Sequence, residues 1–118
     1  MGFDFEKLDV YQESLSFADS VYELTAKFPT DETYGITAQL RRAAVSVAVN
    51  IAEGSGRSKK EFAHYLRMAR TSIWECVPLL TISQRQGYLG ENGFGMFYRR
   101  CESLSKMLSK LINSIRRV

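Results

Sequence analysis

Apolar residues recur along this chain at three- and four-residue spacing, the mark of helices that turn one side to a core. Between residues 5 and 28, Leu8, Tyr11, Leu15, Ala18 and Tyr22 fall on one side. Val10, Phe17, Val21, Leu24 and Phe28 widen that surface, while Asp9, Glu13, Asp19, Glu23 and Lys27 take the opposite one. Asp4 is the expected N-cap, and Pro29 ends the helix because its ring fixes φ and removes a backbone donor. A second helix is expected over 36–53. Its stripe of Ile36, Leu40, Ala43, Ala44, Val47 and Ile51 faces a core. A second stripe, Ala38, Val45, Val49 and Ala52, lies nearly opposite. A helix apolar on two sides needs cover on two sides. Either its neighbours in the same subunit wrap it, or one side meets another subunit.

The third helix is expected over 58–86, with Phe62, Leu66, Ala69, Ile73, Cys76, Val77 and Leu80 as its stripe. Pro78 falls inside it, removes the bond to the Trp74 carbonyl and is expected to bend it. Gly87 and Gly90 end it. The fourth, over 91–117, aligns Phe97, Cys101, Leu104, Leu108, Leu111, Ile112 and Ile115. No stretch alternates with the period of a strand. Four long amphipathic helices with short connections predict a single all-α domain over 1–118, an up-down-up-down four-helix bundle.

The turn between helices 2 and 3 is the densest local signal. Gly54 is placed to stop helix 2 in the left-handed conformation, and Ser58-Lys59-Lys60-Glu61 reads as a capping box that starts helix 3. Gly56 and Arg57 form a basic corner between them.

Charge changes the picture. Residues 1–35 carry two lysines against eight acids, and residues 36–118 carry fourteen basic against five acidic side chains. That asymmetry suits attraction to a polyanion, or an acidic first helix lying against basic neighbours. Two basic surfaces are candidates for nucleic acid. Arg67, Arg70, Trp74 and Arg85 share a flank of helix 3, where Trp74 offers a stacking face. Arg99, Lys106, Lys110 and Arg117 share the wet side of helix 4. The ordinary meaning of such charges is a solvated face. No apolar run approaches the length of a membrane span, and the acidic N-terminus is unlike a signal peptide.

From here the chain resembles a known family. Arg41-Arg42-Ala43-Ala44, Ser46, Asn50-Ile51-Ala52-Glu53-Gly54 and Gly56-Arg57 are its strongest marks. Phe28-Pro29, Glu32, Tyr34-Gly35, Glu61-Phe62, Ala69, Ser72, Glu75 and Gly87-Tyr88-Leu89 add to them. Together they resemble the four-helix-bundle proteins encoded in intervening sequences of bacterial 23S ribosomal RNA genes, often labelled S23 ribosomal proteins. The likeness runs to Leu89, and helix 4 fits by pattern alone. Thr71 stands where that family tends to have Gly. The resemblance implies a cytoplasmic bacterial protein and a ring-like homopentamer, with no established activity. The accessory proteins of diversity-generating retroelements look similar in architecture and bind RNA and a reverse transcriptase.

Catalysis is poorly supported, and no cofactor is implied. His64 is the single histidine, and it falls on the polar side of helix 3, away from the stripes that hold Cys76 and Cys101. A histidine metal cluster and a Cys-His nucleophile are therefore not expected. Both cysteines read as reduced and buried. Gly54-Ser55-Gly56-Arg57 lacks the Lys-Ser/Thr ending of a phosphate loop and follows no strand, so a helix stop followed by a helix start explains it better. Glu53 and Glu75, if buried, need partners, and Arg41, Arg42, Arg57 and Asn50 are the expected ones in a structural network. Two functional readings stand side by side: an oligomeric bundle that binds RNA or DNA through basic helix faces, and a scaffold for protein partners.

Overall fold

The second, third and fourth helices form within a residue of their expected ends, whereas the first, expected over 5–28, is shorter at both ends. The computed structural model describes residues 2–116. Helix α1 spans Asp9–Thr25, α2 Ile36–Gly54, α3 Lys59–Arg85 and α4 Glu91–Arg116, with short 3-10 turns at Asp4–Lys7 and Thr30–Glu32. No strand occurs among the described residues. Helices adjacent in sequence pack against one another, and α1 meets α4 more lightly to close the bundle. This is the all-α four-helix bundle predicted from periodicity.

The core is built from one stripe of each helix. Phe17 and Val21 meet Leu40, Val47, Ile51, Leu66, Ile73, Leu80 and Leu108, all fully buried. The stripes expected for α2, α3 and α4 are the ones that pack. On α1 the centre of the buried arc is displaced. Val10, Ser14, Phe17, Ala18, Val21 and Thr25 are buried, whereas Leu15 and Tyr22 remain exposed. The reason is a break at Leu8, whose extended backbone separates the 3-10 turn from α1. Asp4 accordingly opens that turn and caps nothing; Phe3 precedes it as the N-cap residue.

Two turns show how the chain reverses. α3 ends in a Schellman motif. The Tyr88 N–H donates to the Ser83 carbonyl at 2.8 Å and the Gly87 N–H to the Gln84 carbonyl at 2.9 Å, with Gly87 at φ 81°. The α2–α3 corner departs from expectation. Gly54 is the last residue of α2, buried, and not left-handed; the positive φ of 85° belongs to Gly56. Gly54 is needed for closeness instead. A Cβ there would lie 2.5 Å from the Tyr65 Cβ and 3.1 Å from the Phe62 Cδ1 of α3. Arg57 closes the corner by donating from Nε to the Glu53 carbonyl at 2.8 Å, with its guanidinium 4.9 Å from the Tyr65 ring centre.

Half of the expected capping box is present. The Glu61 N–H donates to the Ser58 Oγ at 3.2 Å. The Glu61 carboxylate does not turn back to the backbone; it accepts from the Ser58 hydroxyl at 3.0 Å and pairs with Arg57 at 3.6 Å. Ser58→Ala should therefore cost about 1 kcal/mol of stability, measured by denaturant unfolding. An unchanged midpoint would show that solvent replaces the cap. α3 runs as one helix through Pro78, whose ring is exposed. Thr71, the departure from the family pattern, is exposed and disturbs no packing.

Candidate nucleic-acid interface

The seam between α3 and α4 collects the basic residues that the sequence placed on separate helices. Arg70 leans across it and donates from Nη1 to the Ser109 Oγ at 2.9 Å. Its Nε is buried with no protein partner. One turn along, the Trp74 Nε1–H donates to the Ser105 Oγ at 2.9 Å. The Arg70 guanidinium lies 5.0 Å from the centre of the Trp74 ring, within cation–π range. Trp74 is thus held at its edge and covered on one side, yet half of it (52%) faces solvent. An aromatic side chain of this size is left half-exposed against the hydrophobic driving force that buries its kind.

Open grooves flank this platform. One, of about 680 Å³, is lined on α4 by Ser105, Lys106, Ser109, Lys110, Asn113 and Ser114. Another, of about 710 Å³, runs between the start of α3 and the end of α4, where Lys59, Lys60, Arg67 and Arg116 gather. Trp74 and Lys106 line one cleft across the seam, Lys110 continues along α4 from Lys106, and Arg67 sits one turn from Arg70 on α3. Arg99 is exposed on the same outward side of α4, but seven residues before Lys106, about 10 Å along the axis. Arg117 lies outside the described residues. Sequence reasoning passed over Ser105 and Ser109, whose four-residue spacing places both on the flank facing α3. It also passed over Tyr98, which belongs to neither the stripe nor the charged side.

The expected structural network takes another form. Glu53, Glu75 and Arg42 are exposed, so their charges stay hydrated and need no buried partner. The ion pairs found among the described residues are Lys7–Asp4 and Arg57–Glu61. Arg41 instead staples α2 to α1. Its Nε donates to the Thr25 Oγ1 at 2.7 Å, and its guanidinium lies 4.5 Å from the centre of the Tyr22 ring. Asn50 donates from Nδ2 to the Ser46 carbonyl and Oγ, both at 2.9 Å, and Ser72 on α3 bonds the same Ser46 hydroxyl at 3.0 Å. That neutral cluster ties α2 to α3.

The other candidate chemistry is dispersed. His64 faces solvent on α3, while Cys76 and Cys101 are buried free thiols. Burial pushes both thiols up, Cys101 to about 12, which keeps them protonated and poorly nucleophilic at neutral pH. No helix of the described residues is long and apolar enough to cross a membrane.

Fold and surface together define a small all-helical bundle with an aromatic platform set in a basic seam. The chain belongs to the 23S rRNA-intervening sequence protein family, whose model matches residues 6–110. It is similar in structure to a protein of unknown function from the S23 ribosomal protein family of Bacteroides thetaiotaomicron, with a TM-score of 0.81 at 22% identity over 88% of this chain and 95% of that one. At that identity the likeness speaks for the fold alone. A search of curated proteins returns no match.

Proposed function

We propose that this protein is a non-catalytic, cytoplasmic, oligomeric bundle that binds single-stranded nucleic acid, RNA in the first place, through the α3–α4 seam. The observation that carries the reading is Trp74, clamped by Ser105 and Arg70 but open to solvent amid Arg67, Lys106 and Lys110. Single-strand binders combine a basic groove that follows the backbone with aromatic faces on which bases stack. The family is named for intervening sequences of 23S rRNA, which makes RNA the first nucleic acid to test.

The test is a salt titration of the purified protein with mixed-sequence RNA and DNA. Affinity should fall with salt by a slope of about 0.7 for each single-strand phosphate engaged. Changing Lys106 and Lys110 together to Glu should flatten the slope by about 0.7 for each of the two that rests on a phosphate, with no change in helix content. Absence of binding to either nucleic acid at low salt would overturn the reading.

A separate observation supports self-association. Val45, Val49 and Ala52 of α2 join Phe5, Tyr11 and Leu15 around a cleft of about 280 Å³ whose wall is almost wholly apolar, with Glu53 at its rim. These residues include most of the second stripe of α2, and α1 covers it only in part. Cover from a neighbouring copy, in the pentameric ring that the resemblance implies, would remove that surface from water. A ring needs two different patches to meet, and a repeated basic seam would add avidity along one strand. If nucleic acid fails to bind, the same surface makes the chain a scaffold.

A further inference from the structure

Beside Trp74 the seam opens into a cleft of about 280 Å³, bounded by Val77 on α3 and by Tyr98, Glu102, Ser105 and Lys106 on α4. We infer that this cleft is a base-reading subsite selective for guanine, resting on the proposal that the seam carries a single strand. Its volume lies just below the ~300 Å³ at which pockets for drug-sized ligands begin, which suits one planar ring system. Arg70 covers one face of the indole and takes no part in the cleft wall, so the cleft opens toward the other face. The bond from Nε1 to Ser105 fixes the plane of the ring before any ligand arrives. Tyr98, itself partly exposed, supplies a second aromatic wall. Stacking alone tolerates every base.

The selectivity comes from the two charges at the cleft. Glu102 and Lys106 are one helical turn apart, both exposed, and neither belongs to an ion pair found among the described residues. A carboxylate accepts two parallel N–H bonds, and an ammonium donates. Guanine presents, along its Watson–Crick edge, the O6 acceptor followed by the N1–H and N2–H donors. Lys106 matches the first and Glu102 the other two. Adenine and cytosine each offer one donor beside a bare ring nitrogen, which sets a lone pair against the second carboxylate oxygen. Uracil keeps an acceptor for Lys106 and one N–H for Glu102, but sets its second carbonyl against the other carboxylate oxygen, where guanine offers its N2 amino group. Unstacked bases in single strands expose this edge for such contacts.

Trp74 is the one tryptophan of the chain, so its fluorescence reports the cleft directly. The experiment titrates the intact protein with guanosine, inosine and uridine 5′-monophosphates and compares half-saturation concentrations. Guanosine monophosphate should half-saturate at about tenfold lower concentration than uridine monophosphate. Inosine monophosphate keeps O6 and N1–H but lacks the N2 amino group, and it should fall between them. Glu102→Gln is a surface change that preserves shape, and it should bring the guanosine-to-uridine ratio to about one. Equal half-saturation for all three nucleotides would overturn the subsite, as would a ratio that survives Glu102→Gln. The mixed-sequence strand titration separates the two proposals. Strand binding without nucleotide selectivity rejects the subsite alone. Nucleotide selectivity without strand binding supports the subsite as a nucleotide site and rejects the strand reading.

Discussion

Gly54→Ala should destabilise the protein by roughly 2–3 kcal/mol, a large loss for a single added methyl group. The added carbon would stand 2.5 Å from the Tyr65 Cβ, an atom that no rotamer change can move. Relief requires α2 and α3 to separate, and their contact is the most extensive in the bundle. Tyr65→Ala keeps that Cβ and so should rescue the variant only slightly. Gly56→Ala should cost less, roughly 1–2 kcal/mol, because it meets no neighbour and loses only the freedom to hold φ at 85°. Urea unfolding of the three variants checks this. A neutral Gly54→Ala would mean that the two helices are not so close at this corner, and the account of the turn would fail. Gly54→Asn separates the two explanations for this glycine. A left-handed position tolerates Asn well, whereas a crowded helical one should reject it more strongly than Ala.

Val49→Glu should dissociate the proposed oligomer while leaving each subunit folded. In the isolated chain Val49 is 45% exposed, so the substitution removes little core packing and should change subunit stability by no more than about 0.5 kcal/mol. In an assembly that covers the α1–α2 cleft, the same carboxylate would be buried without a partner at every interface. Light scattering should give the unmodified protein a mass several times 13.4 kDa, five times for a pentamer, and Val49→Glu the mass of one chain. Far-UV circular dichroism should be the same for both. A monomeric unmodified protein would overturn the proposal, and an intact oligomer for Val49→Glu would move the interface elsewhere.

Much of this molecule was legible from residue spacing. The stripes Ile36–Leu40–Ala44–Val47–Ile51 and Leu66–Ala69–Ile73–Cys76–Leu80 are buried as their periodicity required, because one apolar side on each helix leaves a bundle few ways to assemble. Helix ends were legible where a local device marks them, as at Ser58 and Gly87. Such devices act within a few residues, so the sequence alone displays them. What tertiary structure decided depends on atoms distant in the chain. The meaning of Gly54 lay with Tyr65 on another helix, and no local pattern announces a close approach. The hydration of Glu53 and Glu75 followed from how α2 and α3 rotate about their axes, since a glutamate at the rim of a stripe is buried or free according to that angle. The seam itself needed α4 laid against α3. Thirty-one residues separate Trp74 from Ser105 and thirty-nine separate Arg70 from Ser109, and packing alone brings each pair to 2.9 Å.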